Sequence, residues 1–310
     1  MNIWLVHGPP GTGKTRYLAD QARLAADKHG PGSVAIASLT RAAAHEIASR
    51  TAVPEDQVGT LHAHCYRALD KPDLAETPEG IRAWNEAHPA LKLPFGQDQL
   101  EDAPPETAEG DDPGAGRLHQ SVMLRRARLQ PPDTWTPTER EYHQQWADWK
   151  RQTRRLDFAD LIDQALQEAP AHPAAPKALL VDEAQDCSAA ELHLIQAWAE
   201  HAGTTVLCGD LDQAIYQWRG ADPAAFRRLN LAGERVLDQS HRVPQAVHQL
   251  ATRWIQQIPG RRNVAYHPRP APSQPRRPRP PRQPPPAPPR HRRDRHDARD
   301  LRIHALRPPP

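Results

Sequence analysis

Cysteine is scarce: Cys65, Cys187 and Cys208 are the three in 310 residues, and they form no metal-binding or disulfide spacing. That suits a reducing compartment, and a cytoplasmic protein is expected. No apolar run reaches the roughly 18 residues that a membrane-spanning helix needs, so no membrane partner is expected. The opening Met1-Asn2-Ile3-Trp4-Leu5-Val6 has no basic stretch before its apolar residues, which argues against a signal peptide. No fixed-period repeat is present, so solenoids and propellers are excluded. Net charge is almost absent too, at +2 from 40 basic and 38 acidic residues, but this near-zero conceals a division. Residues 259–310 contain no lysine but 14 arginines, three acids and 16 of the 35 prolines. The preceding 258 residues hold 26 basic and 35 acidic side chains. An acidic body is followed by a basic, proline-rich tail that cannot bury enough apolar surface to offset its ordering entropy.

Within the body, short apolar runs at 3–6, 34–37, 178–181, 204–208 and 235–237 read as strands of a parallel sheet covered on both faces. Helical patterns alternate with them. The one at 14–29 stops at Gly30-Pro31, and the one at 188–201 opens on the capping box Ser188…Glu191. The alternation predicts a doubly wound α/β fold. Residues 70–156 break the rhythm, with helical patterns near 80–92, 117–130 and 138–156 around an acidic, Pro/Gly-rich stretch at 101–116 that is expected to be mobile.

Three motifs carry chemistry. Gly8-Pro9-Pro10-Gly11-Thr12-Gly13-Lys14-Thr15 fits G-x-x-x-x-G-K-[ST] between a strand and a helix. Its glycines let backbone N–H groups turn toward phosphates, and the helix N-terminus adds positive potential. Lys14 can reach β- and γ-phosphates, and Thr15 offers a hydroxyl to Mg²⁺. The bland alternative is a glycine-rich turn that binds nothing. In Asp182-Glu183-Ala184-Gln185-Asp186, a buried strand ends in adjacent carboxylates, a costly pairing unless a divalent cation is nearby. Asp182 would then hold the Mg²⁺ shell and Glu183 would polarise the attacking water; a solvated acidic turn is the alternative. In residues 209–222, Gln213 is placed to sense a γ-phosphate or that water. Tyr216, Trp218 and Arg219 are the ingredients for stacking single-stranded bases beside a backbone contact, or else a core Tyr and Trp with a surface Arg. The His62, His64, Cys65 group lacks a closed zinc spacing, and Trp146 with Trp149 reads as helix packing.

Residues 8–15, 182–186, 209–222 and Ser240-His241-Arg242 occur in this order, and together they resemble the UvrD/Rep/PcrA group of superfamily 1 DNA helicases. Leu39-Thr40-Arg41-Ala42-Ala43-Ala44 with Glu46-Ile47 resembles that family's FTNKAA-x-EM segment. Gly59-Thr60-Leu61-His62 resembles its GTFH segment, and residues 157–162 its DFxDLL element. The likeness covers roughly residues 1–255. It implies a RecA-like P-loop NTPase, with 1–69 and 157–258 as two parts of one motor domain. Residues 70–156 would be an inserted helical subdomain, and 259–310 a disordered tail. It also implies ATP and Mg²⁺ as cofactors, and hydrolysis coupled to 3′→5′ movement on single-stranded DNA or at single/double-strand junctions. Arg242 would contact the γ-phosphate, and His241 stands where the family stacks a tyrosine on the base. Thr40, His62, Tyr216, Trp218 and Arg219 would line the DNA track.

The sequence departs from the pattern in several places. Leu39 and Leu61 replace aromatics, Ala42 replaces a lysine, and the seven residues before Gly8 hold no adenine-reading glutamine. Where the family continues into a second motor domain, Pro/Arg sequence follows here. The chain is therefore expected to be either a motor domain or a truncated or frameshifted fragment that binds ATP and DNA without productive unwinding. The rival for the tail is a polybasic nucleic-acid arm.

Overall fold

The computed structural model describes residues 2–94, 113–258 and 261–270. Its centre is a six-stranded, all-parallel sheet of β1 (Ile3–His7), β2 (Val34–Ala37), β3 (Val58–Gly59), β4 (Ala178–Val181), β5 (Thr204–Gly209) and β6 (Gly233–Val236), in the order β3-β2-β4-β5-β1-β6. β2 and β4 are buried at every residue, as continuous apolar runs require when helices cover both faces. Alternate side chains feed two cores. Val34 and Ile36 join Leu18 and Ala22 of α1 (Lys14–His29) and Ala44 and Ile47 of α2 (Arg41–Ala48). Ala35 and Ala37 face the other way, toward α3 (Leu61–Ala68), α7 (Phe158–Glu168) and α8 (Ala189–His201). This is the doubly wound, parallel α/β arrangement expected from the sequence. It differs at its margins: β6 begins two residues earlier than the apolar run, and β3 is a two-residue strand that no periodicity signals.

Three helices build a third core of their own. These are α4 (Pro78–Ala87), α5 (Pro113–Ala127) and α6 (Pro137–Thr153). Trp84, Val122, Tyr142 and Trp146 are completely or almost completely buried among them, and Trp146 stacks on Trp149 at 5.1 Å. α6 starts at a Thr136/Glu139 capping box and ends at Arg154 in the left-handed region. Of the stretch expected to be mobile, 101–112 lies outside the described residues, while 113–116 form the first turn of α5. The helices anchor to the sheet domain through buried charge. Arg126 of α5 and Lys150 of α6 converge on Asp157, the N-cap of α7, and on Asp160 one turn later. Two short helices, α9 (Pro223–Arg227) and α10 (Gln245–Ile255), complete the fold. Among the described residues, no helix is long and apolar enough to cross a membrane.

The expected disordered tail needs correction at its start. Residues 259–260 and 271–310 lie outside the described residues, but 261–270 form a strap over the sheet. Arg261 holds Asp212 through two nitrogens, and Arg262 pairs with Glu234 of β6. The amide of Ser240 donates to His267 O, and the amide of His267 to Asp238 O. Composition marks this stretch as tail, but specific ion pairs and backbone bonds override composition over ten residues.

One buried pair sets a pH limit on the fold. The Ala174 amide donates to His172 Nδ1, so His172 Nε2 donates to His64 Nδ1 and His64 Nε2 donates to Ile36 O. Both rings are thus neutral, and burial lowers them to about 4 for His64 and about 3 for His172. Depressed histidines favour the folded state above the unfolded value of 6.5, and this contribution drains away as pH falls below it. Between pH 6.5 and 5 the loss is about 3 kcal/mol for the pair, approaching about 1.4 kcal/mol per unit each below the unfolded value. Urea unfolding across that range should show the loss, and His64→Gln/His172→Asn should flatten it. Parallel curves for both proteins would contradict the pairing.

Candidate functional site

The loop between β1 and α1 has its shape because three glycines permit it. A Cβ on Gly8 would lie 2.3 Å from Lys14 Cγ. Gly11, at φ +76°, is pressed against Ser240 Oγ and Arg242 Cβ, and Gly13 enters α1 from the left-handed region. Thr12 closes the turn, its amide and hydroxyl both donating to Pro9 O. Lys14 is buried, donates to Gly8 O at 2.9 Å and lies 3.8 Å from Glu183 Oε2. The first turn of α1 contains no acidic residue and no side-chain cap, so its amides face the loop without an internal anion.

The end of β4 delivers the carboxylates to this loop. Thr15 Oγ1 donates to Asp182 Oδ2 at 3.3 Å. Asp182 is almost fully buried, and burial together with neighbouring Glu183 pushes its carboxyl up to about 6. Such a group is stabilised as an anion by a cation, and it makes no ion pair within the described residues. A hydroxyl and a carboxylate are the hard oxygen donors that Mg²⁺ takes, with phosphate and water completing its shell, so the residues fit MgATP. Glu183 is in the left-handed conformation at φ +51°, which turns its partly exposed carboxylate toward Lys14. No group of three metal-ligating side chains occurs among the described residues. His64 spends both ring nitrogens on the pair described above, and burial pushes the Cys65 thiol up to about 12.

A relay of amides connects this centre to β5. Gln185, 1 % exposed, donates to Glu183 Oε2 and to Asp186 Oδ2 and accepts from the Asp210 amide. Asp210 in turn accepts from Gln213 Nε2 at 2.7 Å. Gln213 is therefore joined to Glu183 through two intermediates, and the sequence reading gave neither Gln185 nor Asp210 a role. The signal for Gln185 was a polar residue flanked by residues needed for burial. From the β6 side, the His241 amide donates to Gly11 O, while Ser240 Oγ and the Tyr266 hydroxyl both donate to Pro10 O. The side chains of His241 and Arg242 are exposed beside the loop. Tyr266 was missed because it lies in the arginine/proline-rich segment.

The candidate DNA residues lie on three loops at the carboxyl end of the sheet. Thr40 follows β2, and its hydroxyl caps α2 by accepting from the Ala43 amide. His62 follows β3, faces Glu191 at 3.6 Å and meets the Phe158 ring edge-on. Tyr216, Trp218 and Arg219 follow β5. Their rings are 6.1 Å apart and tilted, and the guanidinium sits 5.8 Å from the Tyr216 ring centre. Arg128, just past the end of α5, donates to Gln217 O and fastens this turn. The candidate nucleotide residues are thus brought together around one loop, while the candidate DNA residues are distributed along the carboxyl end of the sheet.

A family model described as the UvrD/REP helicase N-terminal domain matches residues 2–231. The ATP-dependent DNA helicase PcrA of Bacillus subtilis (strain 168) is 27 % identical over 236 residues, covering 68 % of this chain and 31 % of that protein. A putative ATP-dependent DNA helicase of the same organism, YjcD, is 24 % identical over 246 residues, covering 71 % and 31 % respectively. The chain therefore spans about a third of the length of these relatives. Among solved structures, the Pif1 helicase from Candida albicans aligns over 76 % of this chain and 35 % of its own, at 14 % identity and a TM-score of 0.31.

Proposed function

Because the chain belongs to the UvrD/REP helicase family through its N-terminal domain, we propose that it is a motor domain that hydrolyses ATP with Mg²⁺ and couples this to 3′→5′ movement on single-stranded DNA. One observation carries the reading: Lys14, Thr15, Asp182 and Glu183, from two distant segments, meet within hydrogen-bond or ion-pair distance at the phosphate loop. Residues 1–69 and 157–258 act as the motor, and 70–156 as a helical subdomain with its own core.

Lys14 and the α1 amides would bind the β- and γ-phosphates. Thr15 and Asp182 would hold Mg²⁺, which when bound neutralises phosphate charge. Glu183, oriented by Gln185, would accept a proton from the attacking water. Gln213 would report nucleotide state along the Asp210–Gln185 relay, and Arg242 would add charge from the β6 side. Thr40, His62, Tyr216, Trp218 and Arg219 would contact the strand.

The test is Mg²⁺-dependent phosphate release with and without a single-stranded oligonucleotide. Glu183→Gln should lower kcat by about 10²–10⁴-fold, the range of a lost general base, and leave nucleotide affinity within a few-fold. Full turnover in that variant would refute the assignment. Nucleotide binding with no DNA-stimulated turnover in the unaltered chain would favour a binding module that does not unwind.

A further inference from the structure

The free edge of the sheet at β3 is not bare. A cavity of about 340 Å³ lies over it, between α2 and α3, which pack on opposite faces of the sheet. Arg41 and His45, one turn apart on α2, form one wall, and Arg67 and Lys71 form the other. No carboxylate lines it. Gly59 is the floor, where an added Cβ would come within 3.1 Å of Ala63 Cβ and 3.3 Å of Arg67 Nη2.

Three features show that the cations were not placed for the stability of the fold. Arg41 opens α2, at the helix end whose dipole repels positive charge, and the first turn holds no acid to offset it. Arg41 and Lys71 make no ion pair or side-chain hydrogen bond among the described residues. Lys71 and the preceding Asp70 both occupy the left-handed region, at φ +58° and +56°, which non-glycine residues adopt at a cost. The Lys71 amide, donating to Tyr66 O, holds that turn and sets the side chain against the cavity. Arg67 is different, being half occupied by Val58 O and His64 Nδ1.

We propose that this edge groove is a binding site for the phosphodiester backbone of nucleic acid, with Arg41 and Lys71 as its phosphate ligands. The groove adjoins two candidate track residues, since Thr40 precedes Arg41 and His62 precedes Ala63. It therefore extends the strand's path outward past β3. The inference rests on the DNA-binding reading above and adds a location to it.

The test is anisotropy of a fluorescein-labelled 20-nucleotide oligothymidylate, titrated with the full chain across a salt series. Arg41→Ala/Lys71→Ala should weaken binding about tenfold at low salt. It should also reduce the slope of log K against log[salt] by about 1.4, since each single-strand phosphate contact contributes about 0.7. Arg41→Lys/Lys71→Arg should keep the wild-type slope. Lys71→Gly should lose about half of the double variant's slope change while its melting temperature holds or rises, because glycine accepts φ +58° freely. A purely structural lysine would not separate the two readouts in this way. If the unaltered chain binds and the double variant binds identically, the groove proposal fails and the DNA-binding reading stands. If the unaltered chain does not bind, both fail.

Discussion

Replacing Lys14 with alanine should lower ATP turnover by about 10³-fold, the upper end of what one preorganised charge contributes at a phosphoryl-transfer site. It should weaken nucleotide binding as well, which separates it from Glu183→Gln. Lys14 is the one lysine in the loop, buried, with its ammonium fixed between Gly8 O and Glu183. Low dielectric strengthens its pull on a phosphate, and its position is already fixed before nucleotide arrives, so little reorganisation is needed. The fold should persist, because alanine removes a buried cation and is the best helix former for the first position of α1. Calorimetric titration with ATP and phosphate release are the measurements. Turnover within tenfold of the unaltered chain would show that the phosphates bind elsewhere.

Replacing Asp157 with alanine should destabilise the chain by about 3–5 kcal/mol, the cost of removing the fully buried carboxylate that two buried cations share. The melting temperature should fall by about 10 °C, at roughly 2–4 °C per kcal/mol for a domain of this size. Asp157 is fully buried. It accepts from Arg126 through both oxygens, from Lys150 Nζ, from Trp146 Nε1 and from the Asp160 amide. Burial opposes its charge, but Arg126 and Lys150 outweigh that and hold the carboxyl well below the usual carboxylate range. The substitution therefore takes the shared carboxylate from both cations, leaving Arg126 only Asp160 and Asp163 and Lys150 only Asp160, and removes the α7 cap at the same time. Asp157→Ala/Lys150→Met should recover part of the loss, since one of the two cations that lost the shared carboxylate is then gone. A melting temperature within 2 °C of the unaltered chain would contradict this account.

The two predictions mark what was and was not legible in the sequence. Lys14, Thr15, Asp182 and Glu183 could be read because local spacing at strand ends specifies them. A glycine loop before a helix and two acids after an apolar strand leave few other geometries. The burial of Trp146 and Trp149 followed from their helical spacing. Asp157 was read only as part of a family element, because its role depends on Arg126 and Lys150, on two other helices. β3 was invisible because two residues carry no periodicity. Tyr266 was hidden by composition, and its partner Pro10 is 256 positions away. The basic edge groove escaped for a similar reason, since its cations come from α2, from α3 and from the turn after α3, on opposite faces of the sheet.

The position of β1 has a consequence for how the molecule is made. This first strand is flanked in the sheet by β5 and β6, its Ile3 in register with Thr205 and its Trp4 with Gly233. Synthesis at about 5–20 residues per second leaves it without either neighbour for about 10–40 s. The carbonyl of Pro10 waits longer still, since its donors arrive only with Ser240 and Tyr266. The phosphate loop is thus translated well before the residues that complete its shape. In a nascent chain the contacts that close this loop are incomplete until nearly all of the described fold has left the ribosome.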